Sequence, residues 1–177
     1  VQYGGVDWHL GGVVATFVLG RGLIRLYGGD EPGSAVPVRV IARSNVFTSP
    51  YGVPLVAMSG DLETGDFRPL LSWSGFDNFF ERFETFWRVE PARSLAGTTS
   101  FDYEAWKNYW GTASTGGAVG TTFFRRGTPN KPLVEIEAGD VALVRDPADN
   151  PAAEAAPDGT DAGVDHARLP VFGSDSQ

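Results

Sequence analysis

Two stretches of the chain follow one plan: GLIRLYGGDEPGSAVPVRVIARSNVF at residues 22–47 and PLVAMSGDLETGDFRPLLSWSGFDNFF at residues 54–80. Each opens on a short apolar strand, Leu23-Ile24-Arg25-Leu26 against Leu55-Val56-Ala57-Met58. Each turns through Gly-Asp into a second strand, Val38-Arg39-Val40 against Leu71-Ser72-Trp73, and closes on Asn-x-Phe at Asn45 and Asn78. The offset is 32 residues at the first strand and 33 at the Asn. A period of this size belongs to repeat architectures, where a unit buries its apolar side only by leaning on its neighbours. Partial copies flank the pair. Phe17 precedes Leu23 by six residues as Phe47 precedes Leu55 by eight, and TFWRVEP at residues 85–91 opens another unit. Hairpins of a β-sandwich can produce similarity this faint, and a sandwich is the alternative fold.

Local patterns favour an all-β body. Val38 and Val40, then Leu71 and Trp73, alternate with Arg39 and Ser72 in the period of two that marks a half-buried strand. Gly-Asp clusters supply the turns between strands. One segment breaks the pattern. SFDYEAWKNYWG at residues 100–111 predicts a short helix: Ser100 or Asp102 caps it, Glu104 sits in the first turn, Lys107 lies toward the last, and Gly111 stops it. Tyr103, Trp106 and Trp110 then share one face, which is expected to pack on the core. Beyond it, TASTGGAVGTT reads as a loop, and residues 132–136 and 140–146 as two further short strands.

Charge is unevenly placed. The net charge is −8, and from Glu135 onward ten acidic residues face only Arg145 and Arg168, so the first 134 residues are neutral. A neutral body with an acidic end lacks the basic footprint of a nucleic-acid binder. No apolar run approaches the roughly 20 residues that span a bilayer, so no membrane span is expected. With no cysteine, disulfides and thiolate metal sites are excluded. The chain opens on Val1 without a basic leader or signal-type apolar stretch, and reads as a processed product or a piece of something longer.

The end of the chain carries a resemblance. DVALVRDPADNPAAEAAPDGTDAGVDHARLP at residues 140–170 is similar to the closing coil of bacterial right-handed parallel β-helix repeat proteins. The match runs through Val141-Ala142-Leu143, Pro151-Ala152, Asp158-Gly159, Asp161, Gly163 and Asp165. FDYEAWKNYWG resembles the helical segment such proteins place before that coil, and ARSNVF and WSGFDNFF their Asn-bearing turns. Asn150 departs from the Ser usual before Pro-Ala, and the Asn ladder has only two rungs. The resemblance implies a right-handed parallel β-helix of about four coils, one short helix and an irregular acidic C-terminal cap. The domain reading is coils over 1–146, with the helix near 100–111, and a Pro/Asp/Gly-rich closing segment over 147–177. Such a segment cannot donate a continuous ladder, so it suits a lid on an open sheet edge. A solvated tail is the competing reading, since the composition also suits disorder. The apolar VVATFVL leaves the opposite, N-terminal edge to be covered by upstream coils or a partner chain.

Chemistry-bearing residues are sparse. His9 and His166 lie far apart, no nucleophile elbow is present, and GGVVATF and STGGAVGTT lack the Lys of a phosphate loop. Asp61, Glu63 and Asp66 share one turn, with Arg39 and Arg43 in a neighbouring unit, and read as a solvated turn. No cofactor is implied, with Ca2+ the one candidate: Asp158, Asp161 and Asp165 can supply oxygen ligands, without EF-hand spacing. Trp73, Trp87 and Phe83 are the candidate exposed aromatics for ligand contact.

The expectation is a non-catalytic structural or binding module of a larger extracellular or cell-envelope β-helix protein, contacting polysaccharide or another protein chain. The resemblance keeps open a fragment of a polysaccharide lyase or glycoside hydrolase. An accessory subunit of a larger complex is the third possibility.

Overall fold

The computed structural model describes residues 6–10, 15–28, 37–60, 67–91, 98–121 and 123–165. Twelve strands form three sheets of four. The first orders β1 (Val6–Leu10), β4 (Val38–Arg43), β7 (Leu71–Phe76) and β11 (Ser114–Thr115). The second orders β2 (Thr16–Val18), β5 (Val46–Thr48), β8 (Phe79–Glu81) and β12 (Ala118–Gly120). The third orders β3 (Ile24–Gly28), β6 (Val56–Gly60), β9 (Trp87–Pro91) and β10 (Thr99–Phe101). The chain visits the sheets in rotation through β9. Every ladder is parallel except the one between β9 and β10. Parallel pairing rules out the alternative sandwich, whose sheets are antiparallel.

The repeat predicts the register. Ile24 pairs with Val56 and Leu26 with Met58, Val38 with Leu71 and Val40 with Trp73. Alternate side chains point inward, so Val40, Leu71, Trp73, Phe47, Phe80, Val56, Met58, Trp87 and Val89 join one core. Burying each such side chain is worth roughly 1.5–3 kcal/mol. The rings of Phe17, Phe47 and Phe80 form a column, with centroids 5.0 and 5.3 Å apart and planes within 12° and 11° of parallel.

The corner between the first and second sheets repeats as well. Ser44 and Asp77 adopt left-handed backbone (φ 53° and 51°), and each precedes a buried Asn. The Asn45 Nδ2 donates to Asn78 Oδ1 at 3.1 Å, and Asn78 Nδ2 donates to the Ala42 carbonyl at 2.9 Å. A further rung follows where the sequence suggested a loop. Gly116 and Gly117 (φ 67° and 72°) take the corner positions, and β11 and β12 pair with β7 and β8 on either side. A Cβ on Gly117 would collide with the Asn78 carbonyl, so glycine is what lets this last corner close beneath the ladder.

Helix α1 (Tyr103–Trp110) forms as predicted. Asp102 Oδ1 accepts from Ala105 N at 2.8 Å, and Gly111 ends the helix at φ 56°. Its buried face inserts Trp106 against Trp73 (5.2 Å between centroids) and Trp87 (5.8 Å), and stacks Trp110 on Trp87 (5.6 Å). The core of the third turn of strands is therefore closed by this helix.

The Asp- and Pro-rich ending does something else. Phe123, Phe124, Val141, Leu143, Ala152 and Ala162 cluster on Val46 and Phe79, which point out of the second sheet. Residues on both sides of the expected 146/147 boundary contribute to this one cluster. The segments expected as strands at 132–136 and 140–146 are instead 3-10 turns over Leu133–Glu135 and Ala138–Val141, plus one bridge between Phe124 and Leu143. Lys131 Nζ lies 2.7 Å from Asp140, and this hydrogen bond is the main reason the Asp140 carboxyl is held below the usual carboxylate range. Asn150, which stands where the resembled motif has Ser, is fully buried. Its Nδ2 donates to the carbonyls of Phe123 (3.1 Å) and Val144 (3.0 Å), and its Oδ1 accepts from Ala152 N (3.0 Å).

The chain then runs back along the second sheet. Gly163 N donates to Ser44 O at 3.0 Å, and Val164 N donates to Thr16 Oγ1 at 3.1 Å. As far as Asp165 the closing segment is thus a strap over a sheet face rather than a lid on an end. Buried alanines and two backbone anchors order it despite its polar composition. Gly163 is its tightest point: φ is +82°, and a Cβ there would lie 2.6 Å from Thr16 Oγ1 and 2.9 Å from Val46 Cγ2. Gly163→Ala is expected to cost about 1–3 kcal/mol through left-handed strain. Amide exchange should accelerate first at Gly163 and Val164, with β7 and α1 keeping their protection. Uniform acceleration across the core would refute a separately opening strap.

Candidate functional site

In the third sheet, alternation turns Ile24, Leu26, Val56, Met58, Trp87 and Val89 inward and leaves two outward rows. One row places Arg25, Ala57 and Arg88 in register, and the other Tyr27, Ser59 and Glu90. Small residues at the middle strand, with long ones on both sides, leave a trough. Its volume is about 230 Å3, and the turn before β3 adds Gly20 and Arg21 to its wall, with Val53 and Pro54 alongside.

The described lining carries three arginines against the single acid Glu90. Arg88 Nη1 lies 3.9 Å from Glu90 Oε1, a long, half-exposed pair worth little. Arg21 and Arg25 make no hydrogen bond or ion pair with the described residues. Tyr27, 67% exposed, stands at the end of the outward row.

A second hollow, about 370 Å3, lies at the corner of the second and third sheets. Arg82 and Glu84 line it with opposite charges, beside Ser49, Phe83, Val119 and Thr121. It is built mostly from turns, whereas the outward rows of the trough stand on paired strands, which hold side chains more closely in place.

The aromatics expected to face a ligand are inside. Trp73 and Trp87 are 2% and 1% exposed and are surrounded by the rings of α1 and its neighbours. Phe83, 6% exposed, packs edge-on to Phe80 and shows only an edge to the corner hollow. The reason is register: Trp73 and Trp87 occupy inward positions of their strands, where the most apolar surface goes.

The carboxylates considered for Ca2+ are not gathered. Asp158 Oδ1 accepts from Thr160 N (3.1 Å) and Thr160 Oγ1 (2.7 Å), while Asp161 Oδ1 accepts from Glu154 N (3.1 Å). Among the described residues no group of three metal-capable side chains converges. Asp61, Glu63, Asp66 and His166 lie outside the described residues, as does the His9 side chain.

Comparison with protein-family models, curated proteins and solved structures gives no match. The site is therefore argued from its own geometry. Sequence reasoning missed Arg21, Arg25, Tyr27, Arg88 and Glu90, although a signal was present. Laying TFWRVEP on the repeat sets Arg88 over Ala57 and Arg25, on the outward side of inward-facing Trp87. Among the described residues no helix is long and apolar enough to cross a membrane.

Proposed function

We propose that the chain is a right-handed parallel β-helix acting as a non-catalytic binding module of a larger extracellular or cell-envelope protein. It contacts carbohydrate or another protein through the outward face of its third sheet. The rotation of the chain through three sheets, the parallel ladders, the Asn pair and the Phe column support the solenoid. Strands β1, β2 and β3 occupy the outer edges of their sheets among the described residues, which supports further coils or a partner on that side.

One observation carries the binding role. The third sheet holds an open trough with Arg25 and the exposed Tyr27 on its strand β3 and Arg21 in the turn before it, both arginines unpaired among the described residues. Arg and Tyr are the side chains that most often anchor interfaces. A glycoside-hydrolase reading needs two carboxyl groups roughly 5–9.5 Å apart, whereas the described lining of the trough supplies Glu90 alone.

Ser59→Trp tests the proposal by filling the trough from its floor without touching the core. The wild-type chain is expected to retain members of a glycan panel, or to capture a partner chain, and the variant to lose that binding while melting at the same temperature. Binding that survives Ser59→Trp would move the site elsewhere.

A further inference from the structure

We infer that the trough on the third sheet reads an acidic polysaccharide laid across the strands, an inference that rests on the binding role proposed above. Its charge runs against that of the molecule. The chain carries a net −8, yet three arginines collect where the described lining has one acid. Arg21 and Arg25, without partners among the described residues, keep their full donor forks, and Arg88 is held only by its long pair with Glu90. Such forks match carboxylate and sulfate oxygens two at a time.

Spacing gives the ligand its direction. Arg25 and Arg88 sit in register on strands either side of Ala57, so they are two strand spacings apart. That is roughly 9.5 Å, measured perpendicular to the strands. A linear chain crossing the sheet meets the two guanidinium groups in succession, with the small Ala57 leaving room for the unit between them. The adjoining row is suited to hydroxyl groups. Ser59 donates or accepts, Glu90 accepts, and the exposed Tyr27 ring closes the end of the row. A ligand bearing both hydroxyls and anions satisfies both rows at once.

An acidic peptide fits less well. Peptide recognition draws its affinity from apolar anchors seated in recesses or from strand addition at an edge. Here the floor is Ala57 and Ser59, and the central strands β6 and β9 are paired on both sides.

Titration calorimetry on the full chain, with polygalacturonate and a sulfated galactan as anionic probes, dextran as the neutral one and poly-glutamate as the peptide one, tests the inference. One or both anionic glycans should bind, more weakly as salt rises, and dextran and poly-glutamate should not. Arg25→Ala with Arg88→Ala should weaken that binding about tenfold, and the Arg→Lys pair should fall between, keeping the charge but losing the fork. Unchanged melting of these outward variants guards against misfolding. Dextran binding that Ser59→Trp abolishes and the arginine variants leave intact would overturn the inference and preserve the binding role. Poly-glutamate binding as tightly as the glycans would reassign the trough to acidic protein. Failure to bind any of the four probes would overturn the inference, while partner capture lost in Ser59→Trp would still uphold the broader role.

Discussion

Replacing Trp106 by alanine is expected to destabilise the fold by about 3–5 kcal/mol, the range for truncating a large buried aromatic side chain. A loss of that size is a large fraction of the 5–15 kcal/mol typical of a whole domain. Trp106 is fully buried and is the ring that α1 drives between the sheets, in contact with Trp73 of the first, Trp87 of the third and Phe86 beside it. Removing it opens the end of the core that the helix closes, and the stacked sheets cannot collapse onto the gap without breaking register. The indole N–H has no hydrogen-bond partner among the described residues, and neither do those of Trp73, Trp87 and Trp110. Trp106→Phe therefore gives up volume but also an unsatisfied buried donor, and should cost clearly less than Trp106→Ala. Urea unfolding followed by far-UV circular dichroism measures both. Equal costs for Phe and Ala would mean that the helix does not plug the core as described.

What the sequence made legible is the part governed by period. Leu23 over Leu55, Val40 over Trp73 and Asn45 over Asn78 are contacts between equivalent positions of neighbouring units, so aligning the copies sets the register directly. The helix was legible because capping is local: Asp102, Ala105 and Gly111 lie within one stretch of ten residues. What failed was non-periodic. The last rung was hidden because Gly116 and Gly117 look like a loop, although they fill the positions held by Asp77 and Asn78 in the previous unit. The strap was hidden because its partners are distant. Val164 bonds to Thr16 across 148 residues, a pairing that no local pattern announces. The trough on the third sheet was hidden for a third reason. Aromatic side chains suggest a ligand face by their chemistry, whereas parity along each strand sends Trp73 and Trp87 inward and Arg25 and Arg88 outward.

The strap and the sheet it covers meet at Glu81, and this contact sets the second large expectation. Glu81 is 0% exposed, an unusual place for a carboxyl group with no ion pair among the described residues. Its position is explained by what it accepts. Oε2 takes a hydrogen bond from Thr48 Oγ1 at 2.6 Å, in the same register of the neighbouring strand β5, and Oε1 takes one from Phe123 N at 2.8 Å, where the strap begins. Glu81→Ala leaves two buried donors unsatisfied and a cavity between strap and sheet. The expected cost is about 2–6 kcal/mol, from roughly 1–3 kcal/mol for each of the two orphaned donors. Glu81→Gln keeps an acceptor oxygen for Phe123 N, while the Thr48 hydroxyl can rotate to accept from the new amide, so its cost should stay near 1 kcal/mol, about one hydrogen bond of net value. Thr48→Val combined with Glu81→Ala should cost less than the two separately, because Thr48→Val removes the donor that Glu81→Ala would otherwise orphan. Since Phe123 anchors the strap, Glu81→Ala should also expose residues 123–165 to exchange before β7 or β9. If Glu81→Ala proves no more costly than Glu81→Gln, the carboxylate does not tie the strap to the second sheet, and the strap must be held by its apolar cluster and by the bonds of Asn150, Gly163 and Val164.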